Sequence, residues 1–292
     1  MNITEIRNNI DFIQFSTKDG IRLRGILSRK STASACIIFV HGMGGTMFTP
    51  VAMTMLEKLD KKIALFSMDN RGFGDINSFV EICNGKKRRK RIGTCLERFE
   101  DCIYDLDAAI SAMKRLGFKR IVLCGHSTGC QKSLFYQYKT RDKRVSVIIL
   151  IAPCDDYNIN KKRLGKKFRR MKNKASFLIS NGLGRRIIDP DSGFSAQRMD
   201  SIINLKRPEA RLFDYEGRLR EFSSVKTPIL ALFGSKEENA LRPVSKYLEI
   251  LDSKSSSKRF CGLIIEGANH SFDGKAAELA KSIESWINQL LF

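Results

Sequence analysis

The sequence predicts an α/β fold built on an eight-stranded, mostly parallel sheet with an inserted helical cap. Three observations carry that expectation. Short apolar, β-branched runs alternate with amphipathic helical stretches along most of the chain. A glycine-bounded turn, Gly125-His126-Ser127-Thr128-Gly129, joins one such run to the helical stretch that follows. The alternation then fails between Pro153 and about Ser224, where the chain turns polar and basic.

The strand-like runs, in order, are Phe12 to Ser16, Ile21 to Leu27, Ala35 to Val40, Ile63 to Met68, Arg120 to Cys124, Val145 to Ile151, Ile229 to Phe233 and Arg259 to Ile265. Asp19-Gly20 separates the first two, a turn signal that makes them an antiparallel hairpin. Helical patterns lie near Pro50 to Leu59, Leu96 to Leu116, Gln131 to Lys139, Pro243 to Leu251 and Ala276 to Leu290. In the second, Phe99, Ile103, Leu106, Ile110 and Met113 recur at three- and four-residue steps and form one apolar stripe, a core-packing face that Gly117 ends. Strands alternating with helices in this way belong to a sheet covered on both faces.

The division that follows is a core of residues 1–152 and 225–292, with residues 153–224 as a cap. Gly165, Gly182, Gly184, Pro190, Gly193 and Pro208 punctuate that insertion. It follows the sixth strand, so it is expected over the carboxyl ends of the sheet, where ligands bind in open α/β folds.

Composition narrows the function classes. At 292 residues the chain can bury one large core. No apolar stretch approaches the ~20 residues of a bilayer span, and Met1 to Arg7 lacks the apolar heart of a secretory signal. A soluble, cytoplasmic protein without a transmembrane segment is expected. The eight cysteines show no framework spacing and no Cys-x-x-Cys pair, which suits buried thiols in a reducing compartment. Only three histidines are present, far apart, so spacing offers no zinc site.

The formal charge of +21 favours anionic partners or substrates. It is concentrated in Lys86-Lys87-Arg88-Arg89-Lys90-Arg91 and in the stretch from Lys161 to Lys174. Both runs read first as solvated loop or helix faces. Phe168 is the one aromatic residue among them, too few for base stacking, so no specific nucleic-acid partner is expected.

The chemistry centres on Ser127. A serine at the tip of so tight a strand-to-helix bend, flanked by glycines two residues away, matches the nucleophile elbow of serine hydrolases. Its hydroxyl needs a base, and the base needs an orienting acid. His126 adjoins the serine inside the bend and projects elsewhere; His41 ends the third strand and braces the loop after it. His270, in the loop between the last strand and the final helix, is left as base. The acid is expected after the preceding strand, in Gly234-Ser235-Lys236-Glu237-Glu238-Asn239. Glu237 is the first choice and Glu238 the near competitor, with Asp155 and Asp156 a remoter source. A tetrahedral oxyanion also requires backbone donors. The Thr128 amide opens a helix, whose dipole favours negative charge, and Met43 lies in the glycine-flanked loop His41-Gly42-Met43-Gly44-Gly45. That loop lacks the G-x-G-x-x-G of dinucleotide sites.

Taken together, His41-Gly42-Met43-Gly44, Asp69-Asn70-Arg71-Gly72-Phe73-Gly74, the elbow and His270 resemble the α/β-hydrolase superfamily over nearly the whole chain. Leu123 to Gln131 and Phe99-Glu100-Asp101-Cys102 are similar, more narrowly, to the DUF1749 group, which includes fungal siderophore esterases. The resemblance implies Ser127 as nucleophile, His270 as base, Met43 and Thr128 as oxyanion donors, and hydrolysis of a small-molecule ester or related acyl bond. Glu237 departs from the superfamily's more frequent aspartate. No metal or organic cofactor is required by that chemistry. Two other readings stay open: a hydrolase of thioesters or other anionic acyl substrates, and a non-catalytic binder of anionic lipid or nucleic acid on a hydrolase scaffold. Oligomeric state is not legible.

Overall fold

The computed structural model describes residues 10–28 and 32–291. Met1 to Arg7, read above for signal character, lies outside the described residues. Twelve strands are present among those residues. They are β1 Ile10–Ser16, β2 Arg22–Ser28, β3 Ala35–Val40, β4 Ile63–Asp69, β5 Asn77–Cys83, β6 Lys86–Ile92, β7 Arg120–His126, β8 Val145–Ile151, β9 Ile187–Asp189, β10 Phe194–Ser195, β11 Ile229–Gly234 and β12 Phe260–Ile265. The helices are α1 Pro50–Lys58, α2 Cys102–Arg115, α3 Thr128–Thr140, α4 Asp156–Leu164, α5 Phe168–Ser180, α6 Ala196–Ile203, α7 Pro208–Leu212, α8 Arg220–Ser223, α9 Val244–Lys254 and α10 Ala276–Leu291.

Eight strands form one sheet in the order β1-β2-β4-β3-β7-β8-β11-β12. Each of the eight apolar runs read from the sequence is one of them. β2 runs antiparallel to both β1 and β4, and the remaining pairs are parallel. At the β1–β2 turn Gly20 adopts φ 86°, a left-handed conformation that an L side chain rarely takes.

Strand alternation divides the core into two layers. Cys36, Ile38, Ile121 and Leu123 face α2 and α3, packing with Leu106, Ile110, Met113 and Leu134. Ile37, Phe39, Val122 and Cys124 face the other way, against Val51 and Met55 of α1 and Leu279 and Ile283 of α10. Burial of each such Leu, Ile, Val or Phe stabilises the fold by about 1.5–3 kcal/mol. Because β3, β7, β8, β11 and β12 are mutually parallel, the loops after them all leave the same edge of the sheet. That edge receives every candidate site residue.

Two elements differ from the sequence expectation. The basic run Lys86–Arg91 is strand β6, paired antiparallel with β5, rather than a loop or helix face. Its charges stay mostly exposed, while Glu81 of β5, nearly buried, binds Arg88 and Lys90. The helical stripe at Leu96 to Leu116 begins only at Cys102 as α-helix, after a single 3-10 turn at Phe99–Asp101. Between β8 and β11 the chain forms α4 to α8 and the short β9–β10 pair. Leu164, Ala175, Leu178, Ile188, Met199 and Ile202 make a third apolar cluster there, closed from the core side by Cys95 and Leu96.

Candidate active site

Ser127 sits between β7 and α3 at φ 54° and ψ −128°, a strained conformation for a residue with a side chain. Two close approaches hold it there. Gly125 packs so tightly on the first turn of α3 that a Cβ would strike the Gly129 carbonyl, and Gly129 similarly meets the Val40 carbonyl. The Ser127 amide donates to the Ile151 carbonyl at 2.9 Å, fastening the elbow to β8.

The loop after β3 lies directly against the serine. A Cβ on Gly42 would stand 2.8 Å from Ser127 Cβ and 3.3 Å from its Oγ, so only glycine fits between loop and nucleophile. His41 braces that loop from beneath, as expected. Its Nε2 accepts from the Asn70 amide at 3.2 Å, which leaves the proton on Nδ1 to donate to the Gly42 carbonyl at 2.8 Å. Burial, reinforced by the Lys132 ammonium, pushes the His41 pKa down to about 4. Among the described residues neither the Met43 nor the Thr128 amide donates to another protein group.

His270, in the loop after β12, has its Nδ1 2.8 and 2.9 Å from the two carboxylate oxygens of Glu237. Glu237 follows β11, and its side chain is almost wholly out of water. The Asn239 amide donates to Glu237 Oε1 at 3.1 Å and fixes that carboxylate. Glu238 takes a different place: its Oε2 accepts from the His270 main-chain amide at 2.7 Å, on the exposed side. The ring partner is therefore Glu237. Asp155 and Asp156 are occupied elsewhere, Asp155 accepting from the Asn158 amide at the start of α4 and Asp156 from the Gln131 side chain at 2.9 Å. Burial raises the Asp156 pKa to about 7.

Three contacts were not visible in the sequence. His126 Nε2 donates to the His270 carbonyl at 2.9 Å, and the two rings lie 5.1 Å apart, so the elbow and the His270 loop are joined. Lys132, one turn into α3 and buried, binds Glu97 at 2.8 Å and Asn70 Oδ1 at 2.9 Å. Cys154, after β8, places its Sγ 3.8 Å from His270 Nδ1. With Glu237 and His270 it brings three metal-binding donor types within 4.8 Å of one another. Adjacent parallel strands supply these donors, so no spacing rule in the sequence reveals them. Two surface clefts, of about 230 and about 550 Å³, are lined by none of Ser127, Glu237 and His270.

The sequence model of the family described as "Protein of unknown function (DUF1749)" matches residues 93–290, which spans the elbow, Glu237 and His270. The chain belongs to the DUF1749 family. No curated protein matches this DUF1749 chain in sequence. In three dimensions it is similar to Est1E from Butyrivibrio proteoclasticus, solved with ferulic acid bound: 15% identity, 96% of this chain and 99% of that one covered, TM-score 0.64. The esterase Pf2001 from Pyrococcus furiosus is similar at 14% identity, with 100% and 95% covered and a TM-score of 0.62. GrgF, an α/β hydrolase from Penicillium sp. sh18, is similar at 18% identity, with 97% and 99% covered and a TM-score of 0.63. The DUF1749 chain thus has the α/β-hydrolase fold. Among its described residues no helix is long and apolar enough to cross a membrane.

Proposed function

We propose that this chain is a serine hydrolase that cleaves a carboxylic ester through an acyl-enzyme. The observation that carries this reading is the His270 ring. Its Nδ1 is held by the buried Glu237 carboxylate, which leaves Nε2 as the accepting nitrogen, while His126 ties the same loop to the elbow of Ser127. Ser127 Oγ attacks the acyl carbon as His270 Nε2 takes its proton, and Glu237 stabilises the imidazolium. The oxyanion forms beside the Thr128 and Met43 amides, donors worth about 3 kcal/mol each in such sites. His270 returns the proton to the leaving alkoxide, then activates water against the acyl-enzyme. The esterases among the structural neighbours support an ester as the substrate class.

Residues 153–224 act as a cap in this reading. Met43 of the loop beside Ser127 packs on the apolar cluster built mainly from that segment, which supports its position over the site. The exposed lysines and arginines of α4 and α5 favour anionic acyl substrates, whose kcat/KM then falls as salt screens the field. All eight cysteines are free, which suits a reducing, cytoplasmic setting.

A fluorophosphonate probe tests the assignment. Wild type is expected to be labelled and Ser127→Ala not; equal labelling of the two overturns it. An acyl-length series of chromogenic esters beside the matching thioesters then separates the ester reading from the thioester one.

A further inference from the structure

Behind the His270 ring, on the side away from its accepting nitrogen, three donors of different chemistry converge from three neighbouring strand ends. Nδ1 stands 2.8 Å from Glu237 Oε1 and 3.8 Å from Cys154 Sγ. One donor atom from each of the three residues lies within 4.8 Å of the other two. A tetrahedral zinc ion, with bonds of about 2.0 Å to nitrogen and oxygen and about 2.3 Å to sulfur, sets its donors roughly 3.3–3.5 Å apart. The two separations from Nδ1 lie within about half an ångström of those values, and the Cys154–Glu237 pair, within 4.8 Å, has to close by up to about 1.3 Å when the ion binds.

We propose that Cys154, Glu237 and His270 form an inhibitory site for a soft divalent cation such as Zn²⁺. The proposal rests on the reading of His270 as the base. On binding, the Cys154 thiol releases its proton to solvent and the thiolate, one Glu237 oxygen and His270 Nδ1 bond the metal. The charges of thiolate and carboxylate cancel that of the ion, so a neutral unit replaces a neutral thiol and an ionised acid–imidazole pair in a place largely closed to water. Nδ1 can bond the metal only without its proton, and the neutral imidazole therefore carries its proton on Nε2. That nitrogen then has no lone pair for the Ser127 proton, and Glu237 is diverted from stabilising the imidazolium. The enzyme is silenced with its nucleophile intact. Hard cations such as Mg²⁺ and Ca²⁺ take oxygen donors and are not matched by this donor set.

The test uses the full chain and Zn²⁺, Cd²⁺ and Mg²⁺ as probes. Calorimetric titration of wild type and Ser127→Ala is expected to show one Zn²⁺ per chain in both and no Mg²⁺. Cys154→Ser and Cys154→Ala are each expected to weaken Zn²⁺ at least roughly tenfold, having lost one of three ligands. Cd²⁺ adds a thiolate-to-metal charge-transfer band in wild type that both Cys154 variants lack. Zn²⁺ is expected to slow fluorophosphonate labelling of wild type, reversibly by chelator, and to spare the labelling that the Cys154 variants retain. A zinc anomalous-scattering map of wild-type crystals needs no variant and is expected to place the ion within bonding distance of the three donors. Equal Zn²⁺ affinity in wild type and both variants, or an anomalous peak elsewhere, overturns the site. One Zn²⁺ bound through Cys154 in a protein whose Ser127 never labels upholds the site and overturns instead the role given to His270.

Discussion

His126 Nε2 donates to the main-chain carbonyl of His270 at 2.9 Å, so the residue that precedes the elbow serine also holds the loop of the proposed base. Burial keeps the His126 pKa near 4, and the ring remains a neutral donor at working pH. In the proposed reaction His126 acts through His270 rather than on substrate, as a positioning residue. His126→Phe keeps a planar ring, though a larger one, and removes the donor. The expected outcome is a fall in kcat of about 10–100-fold with KM little changed, because a small displacement of the base costs rate more than binding. His126→Gln, which retains an N–H donor, is expected to recover part of the loss. Equal losses in the two variants, or a change confined to KM, count against this role.

Two adjacent glutamates make different bonds to the same residue, which separates their contributions. Glu237 meets the His270 ring, and Glu238 the His270 amide. Glu237→Gln is expected to lower kcat by about 10⁴-fold, the effect of an orienting acid that can no longer stabilise the imidazolium. Glu238→Gln keeps an oxygen to accept the amide and is expected to cost less than about tenfold. Steady-state kinetics on one chromogenic ester checks both, and the reverse ranking would reassign the acid.

Lys132 and Glu97 form an ion pair at 2.8 Å with both side chains closed to water. Burial alone would raise the Glu97 pKa, but Lys132 and Arg198 outweigh it and hold the carboxyl below its ordinary range. Lys132→Met leaves that carboxylate without its nearest cation, at a cost of about 3–5 kcal/mol. The double variant Lys132→Met/Glu97→Gln removes both charges and is expected to regain most of the loss. Urea midpoints of the three proteins decide it; a double variant no better than the single one shows that packing, not charge, sets the cost.

Much of this architecture is legible in the sequence because buried parallel strands must be apolar throughout. Ile37 to Val40 and Ile148 to Ile151 announce themselves whatever lies beside them. Strand β6 does not, since Lys86 to Arg91 carries no alternation. It is a strand only because β5 pairs with it and Glu81 supplies a counter-charge, facts that belong to the partner. The same limit governs the site. Ser127 and His270 are marked by local turn chemistry and by the scarcity of histidine. The choice of Glu237 over Glu238 depends on the path of one loop. Cys154 is invisible as a neighbour of His270 until the sheet places β8, β11 and β12 side by side.

His41 gives the fold a pH dependence of definite sign. Its pKa falls from an ordinary value near 6.5 to about 4, first because it is buried and then because Lys132 lies near. Below about pH 6.5 the unfolded chain takes up a proton at His41 that the folded chain refuses, so stability declines as pH falls. The decline ends near pH 4, where the folded imidazole also titrates, and amounts to about 3 kcal/mol from this one group. Urea denaturation at a series of pH values between about 6.5 and 4 measures it. His41→Asn is expected to be less stable at neutral pH, since the Asn70 amide and the Gly42 carbonyl lose their shared partner. Its stability is also expected to fall less steeply with acid than that of wild type, by close to one proton's worth of slope. Because the carboxylates that titrate in the same range are common to both proteins, the difference between the two slopes isolates the imidazole. Parallel slopes would mean that position 41 is not the group that binds the proton.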